Sequence, residues 1–248
     1  MGIGMDRDEL NRLINEVKKQ DETAFENLFN ACKNEVFGFL YVYTKNTKDA
    51  KSLLKKTFIK IRETVQQHQD GTDAFTWILK VAHKTALEYL KRKIKDEGKK
   101  ETAAVTEEKK KTDVKPSIYE IINENFEDTD RQILVLRLAF GYKNKEVADI
   151  LHIPNATVPW KYNNMIKPLK EMLLEAGYQI NDISVIFADE NEKADIKLFK
   201  DISKTPIQDA PKVKVEPIVK ENFFLSKPFV SAVCCLALAL MLFLITCL

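Results

Sequence analysis

The sequence contains few of the residues that end helices or form tight turns. Only 7 glycines and 8 prolines occur among its 248 residues, and every proline lies at position 116 or beyond. Hydrophobic residues make up 45% of the chain and charged residues 31%. A chain of this length can hold one large domain or two small ones. The composition predicts an all-α fold rather than a sheet protein.

Cysteine and histidine are also scarce. Three of the 4 cysteines lie in an apolar stretch at the C-terminus, which leaves Cys32 alone in the rest of the chain. The three histidines, His68, His83 and His152, are far apart in the sequence. No H-x-x-E pair, glycine-rich phosphate loop or nucleophile motif is present, so the sequence predicts no metal site, no cofactor and no catalysis. The short polar start is unlike a signal peptide, which predicts a reduced, cytoplasmic protein.

The charge of the chain is unevenly distributed. There are 39 basic and 37 acidic residues, a net charge of +2. Between Lys45 and Arg62, seven basic residues accompany a single acid, Asp49. The seven are Lys45, Lys48, Lys51, Lys55, Lys56, Lys60 and Arg62. Such a concentration is typical of a surface that binds a polyanion, and equally typical of a solvated helix face.

The stretch 229–248 contains no charged residue, no proline and no glycine. At about 1.5 Å per residue it would form a helix of about 30 Å, the thickness of the hydrocarbon core of a bilayer. A buried core helix is the alternative, but such helices rarely lack polar positions on every face. The stretch therefore predicts a transmembrane helix. Lys220 and Lys227 precede it, which predicts a cytoplasmic N-terminal bulk. The helix would be an anchor in membrane lipid or a contact for a membrane-embedded regulator.

Apolar periodicity divides the rest of the chain into two helical segments. Residues 6–94 are predicted to form one small helical domain. Over 95–116 the apolar content falls and charges of both signs alternate, which predicts a flexible linker. A second small helical domain is predicted over 117–175. A proline-containing tether is predicted over 176–228, leading to the transmembrane helix.

The stretch 144–170 has the pattern of a helix-turn-helix. A short helix with Ala148 on its inner side is followed by a tight turn, and Ile153 would fill the corner of that turn. A second helix is predicted from about Asn155, with Val158 facing the first helix. In a helix-turn-helix this second helix can enter the major groove of DNA. Any two packed helices can produce a similar pattern, so this alternative stays open.

Four motifs occur in order along the chain. D-x-x-A-F-x-x-L-F is formed by Asp21, Ala24, Phe25, Leu28 and Phe29, and an altered D-A-E-D-L-x-Q-E-x-F by Asp49, Ala50, Leu53 and Phe58. W-L-x-x-I-A-x-N with a following basic L-R is formed by Trp77, Ile78, Val81, Ala82, Leu90 and Lys91. E-I-A-x-x-L-x-I-x-x-x-T-V is formed by Glu146, Val147, Ala148, Leu151, Ile153, Thr157 and Val158. In this order the motifs resemble bacterial RNA polymerase sigma factors of the extracytoplasmic-function group.

The resemblance implies a sigma region 2-like domain at 6–94 and a region 4-like helix-turn-helix domain at 117–175. The first would bind the clamp of core RNA polymerase and capture unstacked promoter bases near the loop 66–73. Trp77, at the edge of that loop, is expected to be a core residue, because its helix needs the apolar face. The second domain would enter the major groove of promoter DNA. The residues expected to be exposed for DNA contact are Asn155, Thr157, Lys161, Asn164 and Lys167.

The chain also departs from the family pattern. Where the family has acidic residues and glutamine on its clamp-binding surface, this chain has Lys51, Ser52, Lys55 and Lys56. Like charge at a contact lowers affinity, so ordinary polymerase binding is in doubt. In the second domain, Pro168 removes an interior hydrogen bond and is expected to kink or end its helix.

Three functional hypotheses follow from the sequence. The first is a membrane-tethered sigma factor that directs RNA polymerase to promoters. The second is a diverged sigma-like scaffold that regulates by protein contact at the membrane. The third is a DNA-binding regulator that no longer binds polymerase. The tail would limit access to the nucleoid until a partner or a protease releases the protein.

Overall fold

A computed structural model describes residues 6–97, 115–180, 183–192 and Ile202, and these residues contain helices and no strands. The α-helices of the described residues are α1 (Arg7–Val17), α2 (Glu22–Thr44), α3 (Thr47–Thr64), α4 (Ala74–Glu97), α5 (Ile118–Asn125), α6 (Asp128–Leu134), α7 (Asn144–Leu151), α8 (Thr157–Glu175) and α9 (Ile183–Glu192). A 3₁₀ turn (Val65–Gln67) follows α3, and a π-helical turn (Val135–Ala139) extends α6. All described residues lie within one compact unit, Met1–Ala210. The predicted all-α fold is confirmed for these residues.

Helices α1–α4 pack around an aromatic core. The side-chain oxygens of Asp21 and Asn46 cap the starts of α2 and α3 by accepting backbone N–H groups that have no partner in the first turn. Helix α2 contacts α1, α3 and α4. Its Phe29 meets Phe58 of α3 edge-to-face, with ring centroids 4.8 Å apart, and both side chains are buried. The apolar face of α3 is thus turned inward, as its periodicity predicted.

Helices α5–α8 form the second group. Ser117 and Glu120 begin α5 with a capping box, in which each side chain accepts the backbone N–H of the other residue. Helix α8 packs against α5, α6 and α7. Pro168 lies inside α8, which continues to Glu175, so the expectation that Pro168 could end the helix is wrong. Leu169 and Leu173 are both fully buried, and their packing holds the helix together beyond the proline.

The two groups of helices contact each other directly. Helix α2 packs against α5, α6 and α9, and α4 packs against α7. Where α2 crosses α5, a Cβ atom on Gly38 would lie 2.1 Å from the hydroxyl oxygen of Tyr119. That hydroxyl donates to Oδ1 of Asn191 in α9 at 2.8 Å. A glycine at this position of α2 therefore makes room for the Tyr119 ring. The domain boundaries drawn from the sequence stay predictions.

Helix α9 lies inside the segment predicted to be a tether. Its Ile186 and Phe187 are buried, and the Phe187 ring meets Tyr119 edge-to-face at 5.2 Å. This helix was not predicted from the sequence, because its apolar residues cluster in its first six positions and do not recur at helical spacing along its length. The first part of the predicted tether therefore belongs to the packed unit.

Across the described ranges, no helix combines the length and the apolar character needed to cross a membrane. The predicted transmembrane helix, 229–248, lies outside the described residues. So does most of the predicted linker, because α4 ends at Glu97 and the next described residue is Lys115. Both remain predictions.

Candidate nucleic-acid interface

The structure has the two helices and the tight turn that the sequence predicted around His152. Helix α7 ends at Leu151, and the next residue, His152, has a φ of 53°, in the left-handed region. The backbone N–H of Ile153 donates to the carbonyl oxygen of Ala148 at 3.1 Å, which closes the turn. Ala148 and Val158 are both buried where α7 and α8 meet. Helix α8 begins at Thr157, slightly later than expected, because the preceding residues complete the turn.

Helix α8 presents a mixed polar and aromatic ridge to solvent. Trp160, Asn163, Asn164 and Lys167 are all exposed, and their spacing of three, four and seven residues places them on one side of the helix. We call these four residues the α8 ridge. Trp160 is 66% exposed, which is uncommon for so large an apolar side chain. Asn164 and Lys167 were predicted from the sequence as DNA contacts, whereas Trp160 and Asn163 were not, although their spacing relative to the buried Val158 indicates an exposed face.

The other expected DNA contacts lie off the α8 ridge. Asn155 is exposed in the turn, and Thr157 is half-buried at the start of α8. Lys161 is directed towards α6, where its Nζ lies 2.5 Å from Oδ1 of Asp130. The two side chains are only 23% and 19% exposed. The prediction of an exposed Lys161 is therefore wrong, because this ion pair holds the side chain against the neighbouring helix.

Helix α3 carries the predicted polymerase-contact surface. Ser52 and Lys56 are exposed, and Lys51 and Lys55 are half-buried. We call these four residues the α3 surface. Its cationic character follows from the sequence, and the structure leaves at least two of its side chains accessible to a partner.

Two other members of the basic stretch contact acids of the protein itself. Nζ of Lys60 lies 2.5 Å from Oε2 of Glu88 in α4. Arg62 is buried, pairs with Glu22 of α2, and holds its guanidinium 5.3 Å from the centre of the Phe25 ring. The basic surface of α3 is thus smaller than the seven residues counted in the sequence.

A cleft of about 500 Å³ lies between the loop after α3, the start of α4, and α7. We call it the Trp77 cleft. Its lining includes Gln67, Gln69, Thr72, Thr76, Trp77 and Lys80. Trp77 is half-buried, and its ring meets His68 edge-to-face at 5.4 Å. Trp77 therefore packs against the core, as expected, and also forms part of the cleft wall.

The wall of the Trp77 cleft contains three carboxylates. Asp73 comes from the loop, and Glu146 and Asp149 come from α7, where both are exposed. Lys80 is the basic residue of the lining. Most of the acidic charge at the cleft therefore belongs to the helix-turn-helix and not to the loop.

Among the described residues, no group of three or more His, Cys, Asp or Glu side chains is placed to hold a metal ion. The free cysteine of this part of the chain, Cys32, is fully buried, and burial raises the pKa of its thiol well above the ordinary value.

No protein-family model matches the chain. Over 188 residues it is 19% identical to the ECF RNA polymerase sigma factor SigX of Bacillus subtilis (strain 168), a match that covers 71% of this chain and 97% of that protein. The chain is similar to an extracytoplasmic-function sigma factor. Among solved structures, the chain aligns with the sigma factor RpoE from Bartonella quintana, which was crystallised in complex with the anti-sigma factor NepR. The alignment has a TM-score of 0.49 and 15% sequence identity, and it covers 60% of this chain and 96% of that chain. The similarity to SigX confirms the resemblance that the four motifs carried.

A buried histidine joins the first group of helices to the helix-turn-helix. Nδ1 of His83 in α4 lies 2.6 Å from the hydroxyl oxygen of Tyr43 in α2. Its ring centroid is 5.9 Å from that of His152 at the turn. Burial, and to a lesser degree the proximity of His152, lowers the pKa of His83 from 6.5 to about 4. The neutral imidazole is therefore part of the packed structure.

The free energy of unfolding is expected to fall by about 2 kcal/mol between pH 7 and pH 5 because of His83. The unfolded chain takes up a proton near the ordinary pKa, whereas the folded chain resists it down to about 4, so stability is lost as the pH falls. Urea unfolding of the wild type and of His83→Gln, which keeps polar atoms near Tyr43, measures the difference. Equal pH dependence in the two proteins would contradict the prediction.

Proposed function

We propose that the chain is a sigma factor that directs RNA polymerase to promoters from the cytoplasmic face of a membrane. The observation that carries the proposal is the sequence similarity to SigX, because it extends over 97% of that sigma factor. The helix-turn-helix and its exposed α8 ridge support it. Core RNA polymerase and promoter DNA are then the main partners.

The α8 ridge is the proposed contact with duplex DNA. Asparagine can bind adenine with two hydrogen bonds in the major groove, which suits Asn163 and Asn164. Lys167 would contact phosphate, and the apolar edge of Trp160 would meet a thymine methyl or a sugar. Lys161 could contribute only if Asp130 released its ammonium group. Asn155 and Thr157, at the N-terminal end of α8, would complete this contact surface.

The Trp77 cleft is the proposed site for an unpaired promoter base. Its lining combines an aromatic ring with amide and hydroxyl groups, which are the groups that stack on a flipped base and bind its edge. Lys80 could pair with a neighbouring phosphate. The polar groups come from the loop and from the first turns of α4, so the chain segment 67–80 supplies almost the whole contact.

A membrane tether is part of the proposal and rests on the sequence of 229–248. Its uncharged, apolar composition supports a transmembrane helix in membrane lipid, and Lys220 and Lys227 support a cytoplasmic bulk. A membrane-embedded regulator or a protease would then control the release of the protein to the nucleoid.

The α3 surface favours a second candidate function, a sigma-like scaffold that has lost ordinary polymerase binding. Lys56 is exposed where the family pattern has acidic or amide residues. A cationic surface of this kind would repel a partner surface that is built for acids. A DNA-binding regulator without polymerase is the third candidate and would depend on the α8 ridge alone.

Co-purification of polymerase with the tagged full-length chain tests the proposal. The chain is solubilised from the membrane fraction in mild detergent, captured, and probed for core RNA polymerase. The complex is then assayed for run-off transcription from fragments of its own genome. Polymerase in the eluate and transcripts with defined starts are the expected result. Recovery of the chain from the soluble fraction would contradict the membrane tether.

Two variants separate the candidate functions. Lys56→Glu restores acid on the α3 surface, and Lys170→Glu makes the same charge change at an exposed position of α8. If the natural chain binds no polymerase but Lys56→Glu does, the scaffold hypothesis is favoured and the sigma factor proposal is wrong. If neither the natural chain nor Lys56→Glu binds polymerase but the natural chain binds duplex DNA, the third candidate is favoured.

A further inference from the structure

The C-terminal half of α4 presents both aliphatic and basic side chains to solvent on one side of the helix. Leu87 is 38% exposed and Ile94 is 69% exposed. On the opposite side of the helix, Ala82 and Ala86 are fully buried. Five exposed residues that recur at spacings of three and four form what we call the α4 face: Lys84, Leu87, Lys91, Ile94 and Lys95.

Helix α3 holds this half of α4 from the side. The hydroxyl of Tyr89 donates to Oδ2 of Asp49 in α3 at 2.6 Å. Nζ of Lys60, also in α3, lies 2.5 Å from Oε2 of Glu88. These two contacts fix the rotation of α4 about its own axis. The α4 face therefore stays directed away from the core, and its two aliphatic side chains stay in contact with water.

The charge at this end of α4 is strongly positive. Residues 84–95 contain five basic residues and one acid, Glu88. Glu88 already accepts a hydrogen bond from Lys60, and this bond is the main cause that lowers the pKa of its carboxyl. Asp96 and Glu97 follow in the sequence at positions off the α4 face. The three lysines of the face therefore form a cationic border around its aliphatic side chains.

Aliphatic side chains bordered by lysine on a convex helix surface suit the interface of an anionic bilayer. Apolar side chains enter the boundary between headgroups and acyl chains, while lysine ammonium groups reach the lipid phosphates. A nucleic acid offers the same phosphates but little apolar surface against which leucine and isoleucine could be buried. The combination therefore favours a lipid surface over a nucleic acid as the partner of the α4 face.

The length of chain before the proposed transmembrane helix supports the same partner. Ile202 is the last described residue, and 26 residues separate it from position 229. An extended chain of that length spans up to about 90 Å. A tether of this length would hold the packed unit near lipid and still let the α4 face reach the bilayer surface.

We infer that the α4 face is a second membrane contact, in which Leu87 and Ile94 enter the interface of an anionic bilayer and the three lysines bind lipid phosphates. The inference rests on the proposed function in one respect, because the tether keeps the α4 face at a high local concentration beside lipid. The contact is reversible and depends on ionic strength, unlike the insertion of a transmembrane helix.

The test places a tryptophan in the α4 face of the full-length chain. Ile94→Trp is made in a Trp160→Phe background, and the chain is reconstituted into nanodiscs of phosphatidylcholine with or without about one third phosphatidylglycerol. The lipids carry brominated acyl chains, which quench tryptophan on contact. Emission from position 94 should fall by about half in anionic discs, and by less than about a tenth in neutral discs or at high salt. The Trp160→Phe chain alone measures the contribution of Trp77, which is subtracted.

A tryptophan elsewhere on the surface is the positional control. Leu174 of α8 is also aliphatic and is 60% exposed. Leu174→Trp in the same background should keep its emission in every disc. Equal quenching at positions 94 and 174 would mean that the tether merely brings the whole protein close to lipid, and the inference would be wrong.

A pair of charge variants tests the role of the lysines. In the chain that carries Ile94→Trp, Lys84→Gln/Lys91→Gln is expected to reduce the quenching about threefold in anionic discs. Lys145→Gln/Lys170→Gln removes the same charge at exposed positions of α7 and α8 and should leave the quenching unchanged. The same loss in both variants would show that only the net charge matters, which contradicts a contact through the α4 face.

Two further outcomes would overturn the inference. One is the absence of quenching at position 94 in anionic discs. The other is an emission change in neutral discs on addition of DNA, without any quenching by anionic lipid, because the face would then bind nucleic acid. Failure of the tether has a different signature, since the chain would not co-elute with neutral discs. Quenching in anionic discs at low salt would in that case still support the α4 face, so the two failures can be told apart.

Discussion

Replacing Arg131 with methionine is expected to lower the free energy of unfolding by about 4 kcal/mol. Arg131 of α6 is 1% exposed. Its Nε donates to the carbonyl oxygen of Val42 and its Nη1 to that of Phe126, both at 2.8 Å. Val42 lies in the last turn of α2, where carbonyl groups have no donor within the helix. Methionine fills much of the same volume but leaves both oxygens without a donor.

Thermal and urea unfolding of the full chain measure this effect, and a fall in melting temperature of about 10 °C is expected. Asp128 also pairs with Arg131, but its side chain is 69% exposed. Asp128→Asn is therefore the matched control, with an expected loss below about 1 kcal/mol. If the two variants lose the same free energy of unfolding, the hydrogen bonds from Arg131 to the backbone do not stabilise the contact between α2 and α6.

Replacing Gly38 with alanine is expected to destabilise the protein by about 3 kcal/mol, although alanine is the better helix former by about 1 kcal/mol. The new methyl group would lie 2.1 Å from the hydroxyl oxygen and 2.5 Å from Cζ of Tyr119. The ring cannot move aside easily, because Tyr119 is buried, packs against Phe187 and hydrogen bonds to Asn191. Either α2 and α5 separate or the ring leaves its site.

A double-mutant cycle tests the cause of the Gly38 effect. In a Tyr119→Leu background the shorter side chain removes the clash, so Gly38→Ala should be neutral or slightly stabilising there. The measurement is the free energy of unfolding of all four proteins in urea. The same loss in both backgrounds would place the cause elsewhere than in the Tyr119 contact.

Features that depend on neighbours along the chain could be predicted from the sequence. The turn at His152 and the buried faces of α3 and α8 follow from periodicity and from turn residues, and the structure has them. The loop 66–73, by contrast, was named as a site for unpaired bases only because the family resemblance implies one there, and that role stays a prediction. Helix α9 escaped prediction because it is stabilised by contacts with α2 and α5 and not by a strong pattern of its own.

Features that depend on distant residues could not be predicted. The pairing of Lys161 with Asp130 and the fit of Tyr119 over Gly38 each require knowing which helices are neighbours. Arg62 counted as surface charge in the sequence, yet its position at the end of α3 turns it inward over Phe25. One sequence specifies which face of a helix is apolar, but it does not specify what that face meets.

The charges on the outer side of α8 cancel. Lys167 and Lys170 are exposed, as are Glu171 and Glu175, while the remaining lysine of the helix is engaged by Asp130. Docking this helix on a duplex would therefore displace few condensed cations from the DNA, and its affinity would depend only weakly on ionic strength. DNA binding of this kind becomes effective when a larger assembly raises the effective concentration of the helix beside its target. If the proposed function holds, polymerase supplies that proximity. The sequence preference of α8 would then be measurable in the assembled complex at a much lower protein concentration than in the chain alone.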